Sequence, residues 1–275
     1  MSILSAVLYG IIQGLTEFLP VSSSGHLALA QGIFEGENLE TDYFTFSILL
    51  HLATLIAVLV VYRKDIFPLI PAFFRIIGKL FKGKFHLSDY DEHEKMVVYI
   101  IIATLPLAAA VFINDYVEAL SSYVKIVGAI LIFNGVVLFL SDMISKGNKE
   151  LSDMKPRNAL TVGLCQLLAV FPGLSRSGST ITGGRLCGFS REFAVKFSFI
   201  LSVPAIIGAN IFKLPDIMNN PVPSSDIPAY ACGMAAAAIT GVIAMRLLSY
   251  ISKKSNFRIF SYYCVIVGIL AVIFG

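Results

Sequence analysis

The chain has 275 residues, 56% of them hydrophobic and only 14% charged, with a mean hydropathy of +0.79 and a formal net charge of +3. Ordinary soluble domains carry about 25% charged residues, so the composition excludes a water-soluble globule and fits one integral membrane domain. The small charge argues against a nucleic-acid partner, and Cys165, Cys187, Cys232 and Cys264 lie in apolar runs without a CxxC pair, which indicates neither a disulfide framework nor a metal knuckle.

In chain order, the first apolar region, about 2–30, has no basic n-region and no cleavage site, so it is expected to be retained. Pro20 and Ser22-Ser23-Ser24-Gly25 break it in the middle. Spans follow at about 44–62, 97–113 and 124–141, each near the length that crosses a bilayer. A second broken region, about 158–190, is interrupted by Pro172-Gly173 and Ser175-Arg176-Ser177-Gly178. Three further spans lie at about 197–213, 229–248 and 259–275. The expected fold is therefore an all-α polytopic membrane protein with six transmembrane helices and two re-entrant broken-helix pairs. The alternative, two kinked full spans, would invert the loops between them.

The basic residues favour re-entry. Of 21 Lys and Arg, seven fall in 63–95, four in 146–157 and four in 246–258, with Arg185, Arg191 and Lys196 on the same side. The segment 35–42 instead carries Glu35, Glu37, Glu40 and Asp42 and no base. The basic loops are accordingly cytoplasmic, both termini lie outside, and the first broken region opens outward. Residues 66–84 mix aromatics with lysines and are expected on the inner surface. Asp89, Asp91, Glu92 and Glu94, with His86 and His93, read as a solvated cytoplasmic charge run.

A shift of 153 residues superimposes the two broken regions: Gly10 on Gly163, Gln13 on Gln166, Leu15 on Leu168, Phe18 on Phe171, Ser22 on Ser175, Ser24 on Ser177 and Gly25 on Gly178. With opposite orientations in the membrane, the halves (about 1–141 and 158–275) form an inverted repeat, whose site is expected near the midplane where broken helices meet. The halves differ in chemistry: Val170 stands opposite Glu17, and Arg176 opposite Ser23.

Those differences mark the candidate site. Gln13 and Glu17 are four apart, on one helical face. A carboxylate at membrane depth is a metal ligand, a general base or an ion-pair partner for Arg176. Ser22, Ser23 and Ser24 can cap the following half-helix, line a phosphate site with Ser175, Ser177, Ser179 and Thr180, or simply bond between helices. Arg176 offers a planar fork suited to phosphate, and Gly173 and Gly178 allow close backbone approach. His26 lies three residues from Ser23, a spacing suited to proton transfer. His51 is expected to support the first break by a hydrogen bond, and Asn134 and Asn210 to bond between helices. An anion site at this depth suits a phosphorylated lipid. A secondary transporter or flippase is the main rival, but it needs no nucleophile–base pair.

Gln13-x-x-x-Glu17, Leu19-Pro20-Val21-Ser22-Ser23-Ser24-Gly25-His26 and Pro172-Gly173-Leu174-Ser175-Arg176-Ser177 with Thr180 resemble the motifs of the bacterial undecaprenyl-diphosphatases, the bacitracin-resistance protein family. The resemblance covers the whole chain. It implies hydrolysis of undecaprenyl diphosphate to the monophosphate and inorganic phosphate in the bacterial inner membrane, aided by a divalent cation, Mg2+ or Ca2+. It implies Ser23 as nucleophile with His26 as its proton partner, His26 as nucleophile being the alternative. Glu17 would hold the cation or act as base, and Arg176 would clamp phosphate. Ser22, Ser24, Gly173, Ser175, Ser177 and Thr180 would bind substrate. Many members carry glutamate where this chain has Gln13, so Gln13 is expected to be an orienting contact only. The partners implied are the polyprenyl diphosphate and membrane lipids, and the sequence leaves a homodimer open. A second lipid-phosphatase class with a Ser-Arg-x5-His element fits poorly, because Thr182 stands where its histidine would be.

Overall fold

A computed structural model describes all residues except 35–39, 84–85, 145–146, 220–221 and 255. Glu35, Glu37, Lys84 and Lys146, which enter the charge count, thus lie outside the described residues. The described chain runs α1 (Ile3–Phe18), α2 (Ser23–Phe34), α3 (Glu40–Val61), α4 (Arg63–Ile66), α5 (Leu69–Leu80), α6 (Glu92–Thr104), α7 (Asn114–Ser121), α8 (Val124–Met143), α9 (Pro156–Leu168), α10 (Arg176–Leu186), α11 (Arg191–Phe212), α12 (Leu214–Asn219), α13 (Ile227–Lys254) and α14 (Arg258–Phe274). Among the described residues there is no β-strand.

All six expected spans coincide with helix, and their lengths separate them. Four stretches, Glu92–Ile113, α8, α11 and α13, are long and apolar enough to cross a membrane. α3 makes a fifth when it is counted with the helices after it, which turn away by 80°. α14 is apolar but shorter, at 17 residues. The stretch after α6 continues to Ile113 as a 3-10 helix, because Pro106 lacks the N–H and crowds the preceding turn.

Each broken region is a helical hairpin. Leu19 takes the extended conformation that a following proline favours, which ends α1. Leu27 and Ala30 of α2 then pack back beside Ala6 and Tyr9 of α1. In the second hairpin Cys187, just beyond α10, reaches the Asn158 carbonyl at the start of α9. The same capping bond restarts both: Gly25 N–H donates to Ser22 Oγ at 3.3 Å, and Gly178 N–H to Ser175 Oγ at 3.1 Å.

Polarity is inverted relative to a soluble protein. Leu4, Ile56, Phe133, Ile239 and Ile266 are exposed, while Gln13, Glu17, Ser175, Ser177, Thr180 and Ser198 are buried. Between helices surrounded by hydrocarbon, close packing replaces the hydrophobic drive, and small residues permit it. α1 packs along α13, α9 along α6, and α8 along α14. A Cβ on Gly10 would lie 2.1 Å from the Gly233 carbonyl oxygen, and one on Gly163 would lie 2.5 Å from that of Ala103.

α5 buries Ala72 and Ile76 and exposes Phe73 and Phe74 beyond the 80° turn, as an interfacial helix should. It is clamped to the start of α6, and here the expected solvated charge run is corrected. Glu94 is fully buried, receives Lys79 Nζ at 2.6 Å and Arg75 Nε at 3.2 Å, and closes a capping box with Asp91. The Asp91 carboxyl sits below its usual range because the Glu94 N–H, and then Arg75, stabilise its charged form. His86, Asp89, Glu92 and His93 do face outward.

Helix packing can be tested through its glycines. Gly10→Val should lower the thermal midpoint in detergent, overpacking α1 against α13 by about 1–3 kcal/mol. Gly78→Ala on α5, whose Cβ would meet nothing within 4 Å, should leave the midpoint unchanged or raise it.

Candidate active site

Two backbone breaks abut at the centre of the site. A Cβ on Gly25 would lie 3.2 Å from Gly173 Cα, and one on Gly178 would lie 3.4 Å from Pro20 Cβ. Ser177 Oγ donates to the Leu19 carbonyl across this seam at 3.3 Å. Gly173 has φ +96, and its missing Cβ would strike the Val127 carbonyl at 2.6 Å. That glycine therefore allows close packing on α8.

The side chain that joins the breaks is Asn134 of α8. Its Nδ2 donates to the Pro20 carbonyl at 3.1 Å, and its Oδ1 accepts the Ser175 N–H at 3.1 Å. One buried amide thus satisfies a backbone group from each half. The sequence marks Asn134 only as an interhelical bonder, since nothing local says which carbonyl it meets.

Glu17, 7% exposed, is the hub. Arg176 Nη2 donates to its Oε1 at 2.5 Å. Its Oε2 accepts from Ser23 Oγ at 2.7 Å and from Gln13 Nε2 at 3.0 Å, with His51 Nε2 at 3.6 Å. The expected Gln13–Glu17 face is present, and of the expected group Glu17, Ser23, His26 and Arg176 three meet here from opposite halves while His26 bonds elsewhere. His51, expected to support the break, reaches its carboxylate, with Nδ1 held by the Ser47 carbonyl at 2.8 Å. Two buried polar atoms here lack a protein partner: Arg176 Nη1 and Gln13 Oε1. A buried polar atom without a partner calls for a water, an ion or a ligand to complete its bonding.

His26 is not on Ser23. Its Nδ1 meets the Ser22 carbonyl at 2.7 Å and its Nε2 meets the Tyr263 hydroxyl at 2.8 Å. Ser23, for which the sequence offers His26 as proton partner, instead bonds Glu17, because the turn of α2 directs residue 26 toward α14. Tyr263 carries no local signal in the sequence: it is one of many aromatics in an apolar run.

The remaining hydroxyls divide. Ser24 is exposed, with Oγ 3.3 Å from Ser22 Oγ. Ser175 and Ser177 are buried and 3.1 Å apart through their hydroxyls. Thr180 Oγ1 bonds the Arg176 carbonyl at 2.8 Å and Ser198 Oγ at 2.6 Å, which knits α10 to α11 instead of lining a pocket. Two clefts, of about 610 and 460 Å3, lie apart from these residues, at the ends of α11 and α13 among Arg185, Arg191, Arg246 and Lys253.

A family model described as bacitracin resistance protein BacA matches residues 6–270. The chain belongs to the BacA family. Among its curated relatives, the undecaprenyl-diphosphatase of Methanobrevibacter smithii is 42% identical over 98% of this chain and 96% of its own. Those of Korarchaeum cryptofilum, at 40% identity over 98% of each chain, and Alkaliphilus metalliredigens, at 38% over 100% and 99%, carry the same name. The BacA match thus takes in both breaks and every residue of the Glu17 hub.

Asn134→Leu keeps the volume but orphans two buried backbone groups. It should lower the thermal midpoint, by about 1–3 kcal/mol for each lost partner, and lower activity with it. Asn134→Asp, which turns an oxygen on the Pro20 carbonyl, should do no better. An unchanged midpoint for both would remove Asn134 from its bridging role.

Proposed function

We propose that this protein hydrolyses undecaprenyl diphosphate to undecaprenyl phosphate and inorganic phosphate. The observation that carries the reading is the Glu17–Ser23–Arg176 contact across two facing breaks, in a chain of a family whose curated relatives bear that enzyme's name. The prenyl tail stays in the bilayer while the head group enters between the half-helices.

Ser23 is the nucleophile. Its hydroxyl already donates to Glu17, so the carboxylate orients it and takes its proton as Oγ attacks the terminal phosphorus. The bond to the bridging oxygen breaks, and undecaprenyl phosphate leaves. Water then opens the phosphoserine, inorganic phosphate departs, and Ser23 recovers its proton from Glu17. Arg176 keeps one nitrogen on Glu17 and turns its unpartnered Nη1 to the phosphate oxygens, whose charge grows in the transition state. The N-terminal turns of α2 and α10 would add their dipoles, with the hydroxyls of Ser22, Ser24, Ser175 and Ser177 beside them. Thr180 is assigned to the scaffold. His26 serves the water step.

A divalent cation fits this donor set. Among the described residues no three of His, Cys, Asp and Glu come together, so protein ligands alone do not make a cage. Mg2+ commonly takes one carboxylate and completes its shell with phosphate oxygens and water. A cation held there would take a Glu17 oxygen beside the unpartnered Gln13 Oε1, as the alternative to Glu17 acting as base, and would neutralise charge on the diphosphate.

Several features support the finer architecture of six spans with two re-entrant hairpins in an inverted repeat. α2 and α10, at 12 and 11 residues, are too short to cross a bilayer. The α1–α13 and α9–α6 pairings exchange partners between halves, as a two-fold related pair would. On this reading the chain is one domain in the bacterial inner membrane, the site lies near the midplane in a cavity open to the outer face, and a homodimer is compatible with it.

Purified protein in detergent, with Mg2+ or Ca2+, should release phosphate from prenyl diphosphates. Glu17→Ala, Ser23→Ala and Arg176→Ala should each lower kcat by about 100-fold or more. Arg176→Lys should also lose most turnover, because an ammonium cannot serve carboxylate and phosphate together. Intact substrate after long incubation of wild-type protein would reject the reading.

A further inference from the structure

Glu17, Ser23 and Arg176 form one polar system, and His26 stands in another whose members come from distant parts of the chain. We infer that Tyr263, on α14, is a positioning residue for His26. This rests on the phosphatase reading, and it assigns to the site a residue that lies 237 positions from the histidine it holds.

Hydrogen-bond chemistry decides the roles. The Ser22 carbonyl can only accept, so His26 Nδ1, 2.7 Å from it, carries a hydrogen in either protonation state. The neutral ring then has its lone pair on Nε2. Tyr263 Oη lies 2.8 Å from that atom and is the donor. Both ring nitrogens are therefore engaged at rest, and the tautomer is set by the pair of partners; in the water step the hydroxyl hydrogen turns away, Nε2 takes the proton from water, and Oη then accepts from the new Nε2–H. The two rings also lie parallel, 6° apart in plane with centroids at 5.5 Å, so the imidazole is held in position as well as orientation.

Each partner is itself anchored. Ser22, 2% exposed, is the one non-glycine residue with positive φ, +72, among the described residues. That conformation costs about 1 kcal/mol or more for an L residue and persists only where its surroundings enforce it. Here it aims the carbonyl at His26. On the other side, Ser261 Oγ donates to the Gly135 carbonyl at 2.6 Å, and Cys264 lies against Asn134 Nδ2 at 3.4 Å. Tyr263 stands between these contacts, so the element that fixes the seam through Asn134 also fixes the hydroxyl on His26. A tyrosine placed only for packing would not need its oxygen on a ring nitrogen.

Tyr263→Phe retains the ring and removes the donor, so it tests the hydroxyl alone. With four histidines in the chain, 15N-labelled imidazoles in the detergent-solubilised protein can be assigned by single substitutions. The His26 Nε2 resonance of wild type should show a hydrogen-bonded acceptor, and Tyr263→Phe should move it while the Nδ1–H form persists. In the phosphate-release assay, kcat should fall about ten-fold with KM held within about two-fold. The loss should vanish in a His26→Gln background, because the hydroxyl acts through the imidazole. An unmoved Nε2 resonance, an unaffected kcat, or the same drop with and without His26 would each overturn the assignment. If His26→Gln turns over too slowly to measure, the resonance decides. Wild-type protein that leaves the diphosphate intact defeats the phosphatase reading instead, whereas wild-type turnover with a fully active Tyr263→Phe defeats only the role of Tyr263.

Discussion

A buried carboxylate and a largely enclosed guanidinium, paired inside a bundle of apolar helices, constrain everything around them. Neither Glu17 nor Arg176 could stand alone in hydrocarbon, since an unpaired charge there costs several kcal/mol. Each therefore depends on the other, although 159 residues separate them. Each sits beside a break, Glu17 in the last turn of α1 and Arg176 in the first turn of α10, and each break releases backbone groups that need partners. Asn134 supplies one to each side, Ser177 supplies another, and the serine caps restart the helices. The polar interior is the consequence of that single ion pair and the turns it requires.

The exterior answers to a different solvent. Because lipid gives no hydrophobic drive between apolar helices, fit at short range holds the bundle, and the contacts of Gly10 with Gly233 and Gly163 with Ala103 allow backbones to touch. Where the chain meets water the logic changes again. Glu94 is buried at the start of α6 but is compensated by Arg75, Lys79 and the Asp91 amide, which locks α5 across the helix ends. The clamp is remote from the site and stabilises the frame that carries it.

Within the site, the proposed chemistry is divided between two polar systems that share the Ser22–Ser23 turn. Ser23 looks toward Glu17 and Arg176, and His26 looks toward Ser22 and Tyr263. The division separates orienting a nucleophile from handling a proton later in the cycle. Beside the first system, Arg176 Nη1 and Gln13 Oε1 are buried without a protein partner.

By itself the sequence determined the membrane class, the helical regions and the two breaks, and it led to an expected meeting of Glu17, Ser23, His26 and Arg176, from which His26 stands apart. Those features follow from local rules: apolar runs of spanning length, proline next to serine and glycine, and charges too costly to bury without a partner. The BacA motifs were legible for the same reason, being contiguous. Only the tertiary structure decided that Ser23 bonds Glu17 and not His26, that Thr180 knits two helices, that Gly173 packs on α8, and that Glu94 is buried. It alone brought in Tyr263 and showed which backbone groups Asn134 joins. A residue's period along a helix tells which face it occupies, but the identity of the atom it meets depends on how distant helices cross, and no spacing along the chain encodes that.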